Sequence, residues 1–139
     1  MFLTTDDLSA TLYPDIATMI TGHNQTILTM QLATAEAEIE AYLSARYLIR
    51  AELDKVGEGR HRYLLSLARD LAVYHLYSLQ ETMPALRLKR YEQAIAMLKL
   101  IQDGKSQLPG VAPVPPPTDP QTAGGQIGWG SRPPRASLV

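Results

Sequence analysis

The chain predicts an all-α protein: a compact bundle of about four helices followed by an extended, proline- and glycine-rich C-terminal arm. Apolar residues over the first hundred or so positions recur at spacings of three and four, and no stretch there alternates with the period of a strand. Eight of the ten prolines lie beyond Gly104, so the chain divides into a helical body, 1–104, and an arm, 105–139. At 139 residues, 45% apolar and 19% charged, it has the size of one domain with one hydrophobic core.

The first helix is short. It follows Thr4, with Asp7 three positions on as its capping-box partner, contributes Leu8 and Leu12, and stops near Tyr13-Pro14 because the residue before proline avoids the α region. After Gly22 and a cap at Asn24, a second helix sets Leu28, Leu32, Ala35, Ile39, Tyr42, Leu43 and Arg46 along one face, with Glu36 and Glu40 toward water. The third spans about 62–80, after the flexible Gly57-Glu58-Gly59. Its Leu64, Leu67, Ala68, Leu71, Ala72, His75, Leu76 and Leu79 make it the most apolar element. Pro84 suits the first turn of a fourth helix, whose stripe of Leu88, Tyr91, Ala94, Ile95, Leu98 and Ile101 ends at Asp103 and the C-cap glycine Gly104.

The arm opens with Pro115-Pro116-Pro117 inside a stretch that favours extended polyproline II, a moderately stiff spacer. Beyond it, Trp129 stands among glycines with Ile127 before it and Arg132 and Arg135 after it, a peptide with groups to hold on to. Charge divides in the same way. The body has ten Lys and Arg against thirteen Asp and Glu, net −3, and the arm three against one, net +2.

Several chemistries are disfavoured. A net charge of −1 gives no overall basic field to hold a polyanion. Without cysteine there is no disulfide scaffold, thiolate zinc site or cysteine nucleophile. The N-terminus carries early acids and no apolar signal region, and no apolar run approaches the length of a membrane span, so neither secretion nor a membrane is expected. His23, His61 and His75 lack a second ligand at metal-binding spacing, so no metal and no cofactor is expected. His61 reads as a solvated surface histidine, and His75 as a core histidine bonded to a neighbour. No nucleophile elbow and no phosphate loop is present, which makes a non-enzyme the expectation.

Asp70 has Leu67 and Tyr74 as helical neighbours, which draws a carboxylate onto a semi-buried stripe. Arg46, with Tyr42 and Leu43 one turn behind it, has the matching problem. Either the two pair across the second and third helices, or Asp70 stands solvated beside Arg69. Arg87, Lys89 and Arg90 cluster at the unfavourable, positive end of the fourth helix, where an acidic neighbour would compensate. Tyr42, Tyr47, Tyr63, Tyr74, Tyr77 and Tyr91 are more than such short helices readily bury, so some belong either to a protein interface or to the core rim.

Taken in order, Met1-Phe2-Leu3-Thr4 with Asp7-Leu8, the segment from Ala37 through Arg46-Tyr47, Arg69-Asp70-Leu71-Ala72-Val73-Tyr74-His75-Leu76 and Lys89-Arg90-Tyr91-Glu92-Gln93-Ala94-Ile95 resemble the Mu-like phage and prophage neck proteins. The terminal Gly128-Trp129-Gly130-Ser131, with Pro133 and Arg135, is similar to that family's ending. The resemblance implies a helical head-to-tail connector in the virion neck, present in the host cytoplasm during assembly. It implies a homo-oligomeric ring, taken as a dodecamer, that binds the portal protein, receives a tail terminator or other neck protein, and passes DNA through its lumen without specific binding. Under that resemblance Arg46 and Asp70 hold the fold. Trp129, Ile127, Arg132 and Arg135, with Tyr77, Arg87 and Arg90, are the candidates for contact with the portal or an adjacent subunit. The 109–126 stretch departs from the family in length and composition. A small cytoplasmic helical interaction module is the alternative. An enzyme with an unsignalled site and a helix-turn-helix at 57–62 stand behind it.

Overall fold

The computed structural model describes residues 1–10 and 12–116. Phe2 and Leu3 enter the core at once, both fully buried. Thr5–Ala10 is a 3-10 turn rather than an α-helix, and half of the expected capping box closes it: Asp7 reaches back to Thr4, while the Asp7 N–H donates to the Thr4 carbonyl and not to its hydroxyl. The Asp7 Oδ2 accepts from the Thr4 N–H at 2.7 Å and from the Thr4 hydroxyl at 2.8 Å. Where the sequence reading ends a helix, the structure begins one: α1 is Pro14–Thr21. Tyr13 is extended, as a residue before proline should be, and Pro14 takes the first helical position, where its missing N–H costs nothing. Gly22, at φ +63°, closes α1 in the left-handed conformation that glycine adopts without strain.

Helix α2 is Gln25–Leu43, capped by Asn24, whose Oδ1 accepts from the N–H groups of Thr26 and Ile27 at 2.9 and 3.4 Å. A five-residue α3, Ile49–Leu53, is too short to show a period and is not legible in the sequence. It buries Ile49 and Leu53. After a 3-10 turn at Gly57–Gly59 come α4, Arg62–Tyr77, and α5, Ala85–Gln102. Two expected stripe members lie outside the core: Leu79 is past the end of α4 and 48% exposed, and Leu88 is 40% exposed. Pro84 is the N-cap of α5, and Gly104 follows its C-cap Asp103 at φ +79°.

The three long helices α2, α4 and α5 pack on one another, and the Thr5–Ala10 turn and α1 also pack on both α2 and α4. A packed pair of helices offers a groove on each side, and an 18-residue helix fills the length of one. Two side chains of α2 show which element takes which. Glu36 and Glu38, about 200° apart around the helix by its 3.6-residue turn, face opposite sides. Glu36 accepts from the N–H of Leu3 at 3.1 Å, and Glu38 accepts from the hydroxyl of Tyr91 on α5 at 3.0 Å. The body is therefore three layers: the N-terminal turn with α1, then α2 and α4, then α5. Glu36, expected in water, is buried, because it is the acceptor that satisfies the buried Leu3 amide.

The segment that the sequence assigns to the start of the arm stays on the body for ten residues. Leu108 and Val111 are buried in the core. The Leu108 N–H donates to the Tyr47 hydroxyl at 3.1 Å. Tyr47 and Pro113 form an isolated antiparallel bridge, flanked by Leu48 N–H to Ala112 O at 2.8 Å and Val114 N–H to Arg46 O at 3.0 Å. Residues 112 and 114 thus turn their polar groups to the body, so residues 113 and 115 turn theirs outward. Both are proline, which leaves no outward N–H there for another strand to pair with.

Candidate functional site

Four groups of side chains stand out, and most are fastenings. At the junction of α2, α4 and α5, Glu38 takes the Tyr91 hydroxyl on Oε2 and the Nε2–H of His75 on Oε1. Tyr74 stacks on Tyr91 with centroids 3.8 Å apart and planes at 17°, while His75 presents its edge to both rings. Burial, then the hydrogen bond and charge of Glu38, push the Tyr91 hydroxyl up to about 12. This is the bonded histidine that the sequence predicts, and the cluster joins all three long helices. Every tyrosine of the expected set except Tyr63 is half-buried at the core rim.

A second fastening ties the N-terminus down. Arg60 donates through Nη1 and Nη2 to the two oxygens of Asp7 at 2.6 and 3.1 Å, and through Nη1 to the Phe2 carbonyl at 2.8 Å. Nothing local in the sequence marks this pair, which spans 53 residues.

The third holds the arm root. His61 is not a solvated bystander: its Nδ1 caps α4 by accepting from the Leu64 N–H at 3.3 Å, which leaves the proton on Nε2 to donate to the Pro109 carbonyl at 2.7 Å. Replacing His61 with alanine removes both bonds and is expected to lower unfolding free energy by about 1–2 kcal/mol. His61→Asn, which supplies a cap but is too short for Pro109, should recover part of the loss. Urea denaturation of the three proteins checks this, and equal stability of all three would refute it.

The pair proposed between Arg46 and Asp70 does not form. The Arg46 guanidinium lies 3.2 Å from where a β-carbon on Gly104 would stand, a cation over the C-terminal end of α5, where the helix dipole favours it. Asp70 is half-buried on α4, toward α5. Burial raises its carboxyl above the ordinary range, and the charges of Arg90, Arg69 and Arg87 pull it back. Helical spacing identifies both side chains as needing a partner but carries no register between helices to say which. The Arg87 guanidinium lies 5.8 Å from the Tyr77 ring centroid, so the structure brings together Tyr77, Arg87, Arg90 and Asp70. Ile127, Trp129, Arg132 and Arg135 lie outside the described residues.

What remains is surface that is not used for fastening. A hollow of about 170 Å³ beside the N-terminal layer has Leu8, Leu12, Ala17 and Leu28 among its lining, with Asp6 also on its wall. Elsewhere on the surface Tyr13, Met19 and Met30 are 76, 73 and 59% exposed. On α5 Leu86, near Lys89 and Arg90, and Leu100, about three turns beyond them, are 55 and 40% exposed. Among the described residues no group of His, Asp and Glu is arranged to hold a metal ion, and no helix is long and apolar enough to cross a membrane.

The family described as Bacteriophage Mu, Gp36, matches the chain over residues 2–126. The chain belongs to this phage Mu family. Its match covers the whole helical body and runs past the last described residue into the arm. Among curated proteins none matches, and among solved structures none does. Membership of the Mu Gp36 family agrees with the resemblance read from the ordered segments between Met1 and Ile95.

Proposed function

We propose that the protein is a non-catalytic structural component of the virion: a head-to-tail connector whose copies form a ring between portal and tail and continue the DNA channel. The observation that carries the reading is the family match over residues 2–126, which takes in the body and the first part of the arm. The fold supports it. Polar side chains inside the body are spent on cross-links between elements, and large apolar side chains stay exposed on α1, α2, α4 and α5, surface that a subunit with neighbours can use. The arm leaves the body at a proline-blocked edge, so it engages a partner through side chains such as Ile127, Trp129, Arg132 and Arg135. The acidic-leaning body lets duplex DNA pass without being gripped.

The test is the mass of the full-length protein in solution by light scattering, alone and mixed with its cognate portal, with Trp129→Ala in parallel. Ring-sized mass, or assembly on the portal, is the expected result, and Trp129→Ala is expected to weaken the portal-dependent part. A monomer that ignores the portal would remove the connector reading and favour the small helical interaction module.

A further inference from the structure

The hollow beside the N-terminal turn differs from the other depressions of the body in what lines it. Leu8, Leu12 and Leu28 are its largest apolar side chains, and Ser9, Thr18 and Asp6 line it with oxygen. The Ser9 and Thr18 hydroxyls already donate to the Asp6 and Pro14 carbonyls at 2.7 and 2.9 Å, so toward the hollow they are acceptors. Its lining holds one carboxylate and no cation, because residues 1–45 contain no lysine or arginine. Asp6 is exposed and has no ion-pair partner among the described residues. At about 170 Å³ the hollow is comparable to the cavities of about 150 Å³ that take up a single aromatic ring. The depression at the root of the arm, about 390 Å³, has Arg46 in its wall instead, and the one along Thr26, Met30 and Ala33 has no charged residue.

The group that fits this lining is on the same chain. An apolar ring with one N–H donor suits leucines beside oxygen acceptors, and that ring is an indole. Trp129 is the only tryptophan in the sequence and the only aromatic residue beyond Tyr91. Arg132 and Arg135 follow it, and residues 124–139 contain no acid. The length of the arm also suffices. The described chain ends at Pro116, just past the bridge of Pro113 to Tyr47 beyond the C-terminal end of α2, whereas the hollow takes in Gln25 and Leu28 at the N-terminal end. The helix between them sets these places roughly 30 Å apart. From Pro116 to Trp129 the chain can span up to about 43 Å.

We propose that in the free subunit Trp129 seats in the hollow of its own body, the indole against Leu8, Leu12 and Leu28 and Arg132 against Asp6. Tethering favours the arm of the same copy over a neighbour's, since a short linker holds its end near the site at roughly millimolar effective concentration. The contact stands apart from the connector reading. Where both hold, the portal has to draw Trp129 out of this seat, and the arm stays on the body until it does.

Because Trp129 is the one tryptophan, its emission reports its own surroundings alone. In the full-length protein without portal, that emission is expected to lie to the blue of N-acetyltryptophanamide and to be shielded from acrylamide. Thr18→Arg, which fills the hollow and brings a cation into it, should move both to the values of a solvated tryptophan. Thr34→Arg, at an exposed position of α2 outside the lining, should leave both unchanged. Asp6→Lys should lower the ratio of seated to free arm about two- to fivefold, and adding Arg132→Glu to that chain should restore it. Arg132→Glu alone should give the same release with the whole helical body unaltered.

A solvated Trp129 in the wild type overturns the seat. So does a shielded Trp129 that ignores Thr18→Arg, Asp6→Lys and Arg132→Glu, since the ring is then buried elsewhere. Refolding Thr18→Arg together with Trp129→Phe pairs a chain that has the tryptophan but no hollow with one that has the hollow but no tryptophan. Shielding is expected to stay lost in that mixture, and its recovery would mean that the arm occupies a neighbour's hollow, which overturns the seat within one copy. Ring-sized mass with a solvated Trp129 removes the seat and leaves the connector reading standing. A shielded, Thr18→Arg-sensitive Trp129 in a monomer that ignores the portal does the reverse.

Discussion

Replacing Arg60 with methionine is expected to lower the free energy of unfolding by about 3 kcal/mol, as expected when one member of a buried ion pair is removed and the other is left behind. The side chains of Arg60 and Asp7 are 14 and 12% exposed, so the stranded carboxylate would have little water to turn to. Methionine keeps much of the apolar stem, which assigns the loss to the guanidinium and its bonds to Asp7, to the Phe2 carbonyl and, through Nε, to the Gly57 carbonyl at 2.8 Å. Asp7 also shapes the acid limb. Burial pushes its carboxyl up, but the Arg60 hydrogen bonds, the two Thr4 donors and the Arg60 charge together hold it below the ordinary 3.8. A carboxyl lowered on folding contributes stability that is complete above its ordinary value and is lost as pH falls through the lowered one. In Arg60→Met the burial remains and the cation does not, so acid destabilisation should begin at higher pH. Urea denaturation at neutral pH and through the acid range measures both effects. The double variant Asp7→Asn/Arg60→Met should lose less than Arg60→Met alone, because no charge is left buried. If Arg60→Met unfolds within about 0.5 kcal/mol of the wild type, as a surface substitution would, the clamp does not hold the N-terminal layer.

The extent to which the sequence discloses this body depends on which signals are local. Caps are local, and Thr4 with Asp7, Asn24 and Gly104 stand where their chemistry places them. Long periodic stripes are local too, and α2, α4 and α5 are legible to within a few residues at their ends. Pro14 both breaks the segment before it and opens the helix after it; weighing the break alone places a helix end at Tyr13 and misses α1. Glu36 is in phase with Leu32, Ile39 and Leu43, the same spacing that marks Asp70 as semi-buried, so its burial is readable although its partner, the Leu3 amide, is not. Partners across helices depend on register, which one sequence does not carry. That is why Arg46 goes to the end of α5, why Asp70 instead feels the charges of Arg90, Arg69 and Arg87, and why the clamp of Asp7 by Arg60 is invisible in the sequence. Pro113 and Pro115, which read as the stiffness of a spacer, also block the edge of a bridge whose existence depends on Tyr47 and its neighbours far upstream.

The Glu38, His75, Tyr74 and Tyr91 cluster predicts a large loss on truncation and a small one on removal of a single oxygen. Tyr91→Ala forfeits the ring, its stack on Tyr74 and the bond to Glu38, and should cost about 3 kcal/mol, near the lower end for an aromatic deleted from a core because Tyr91 is only half-buried. Tyr91→Phe keeps the stack, leaves Glu38 bonded to His75, and should cost about 1 kcal/mol. The two variants differ again in alkali. The folded chain holds the Tyr91 proton up to about 12, chiefly through burial and then through Glu38, whereas the unfolded chain releases it near the ordinary 10.0. A group raised on folding contributes stability that is complete below its ordinary value and drains away as pH climbs through the folded one. Wild-type stability should therefore fall between about pH 10 and 12 through this residue, and Tyr91→Phe, with no proton to lose there, should lack that part of the decline. Urea denaturation at a series of alkaline pH values reads the difference. Equal alkaline slopes would mean that the Tyr91 hydroxyl is solvated, and a Tyr91→Ala loss below about 1 kcal/mol would mean that α5 is held on the α2–α4 layer without it. Because the cluster faces inward, Tyr91→Phe should also assemble as the wild type does.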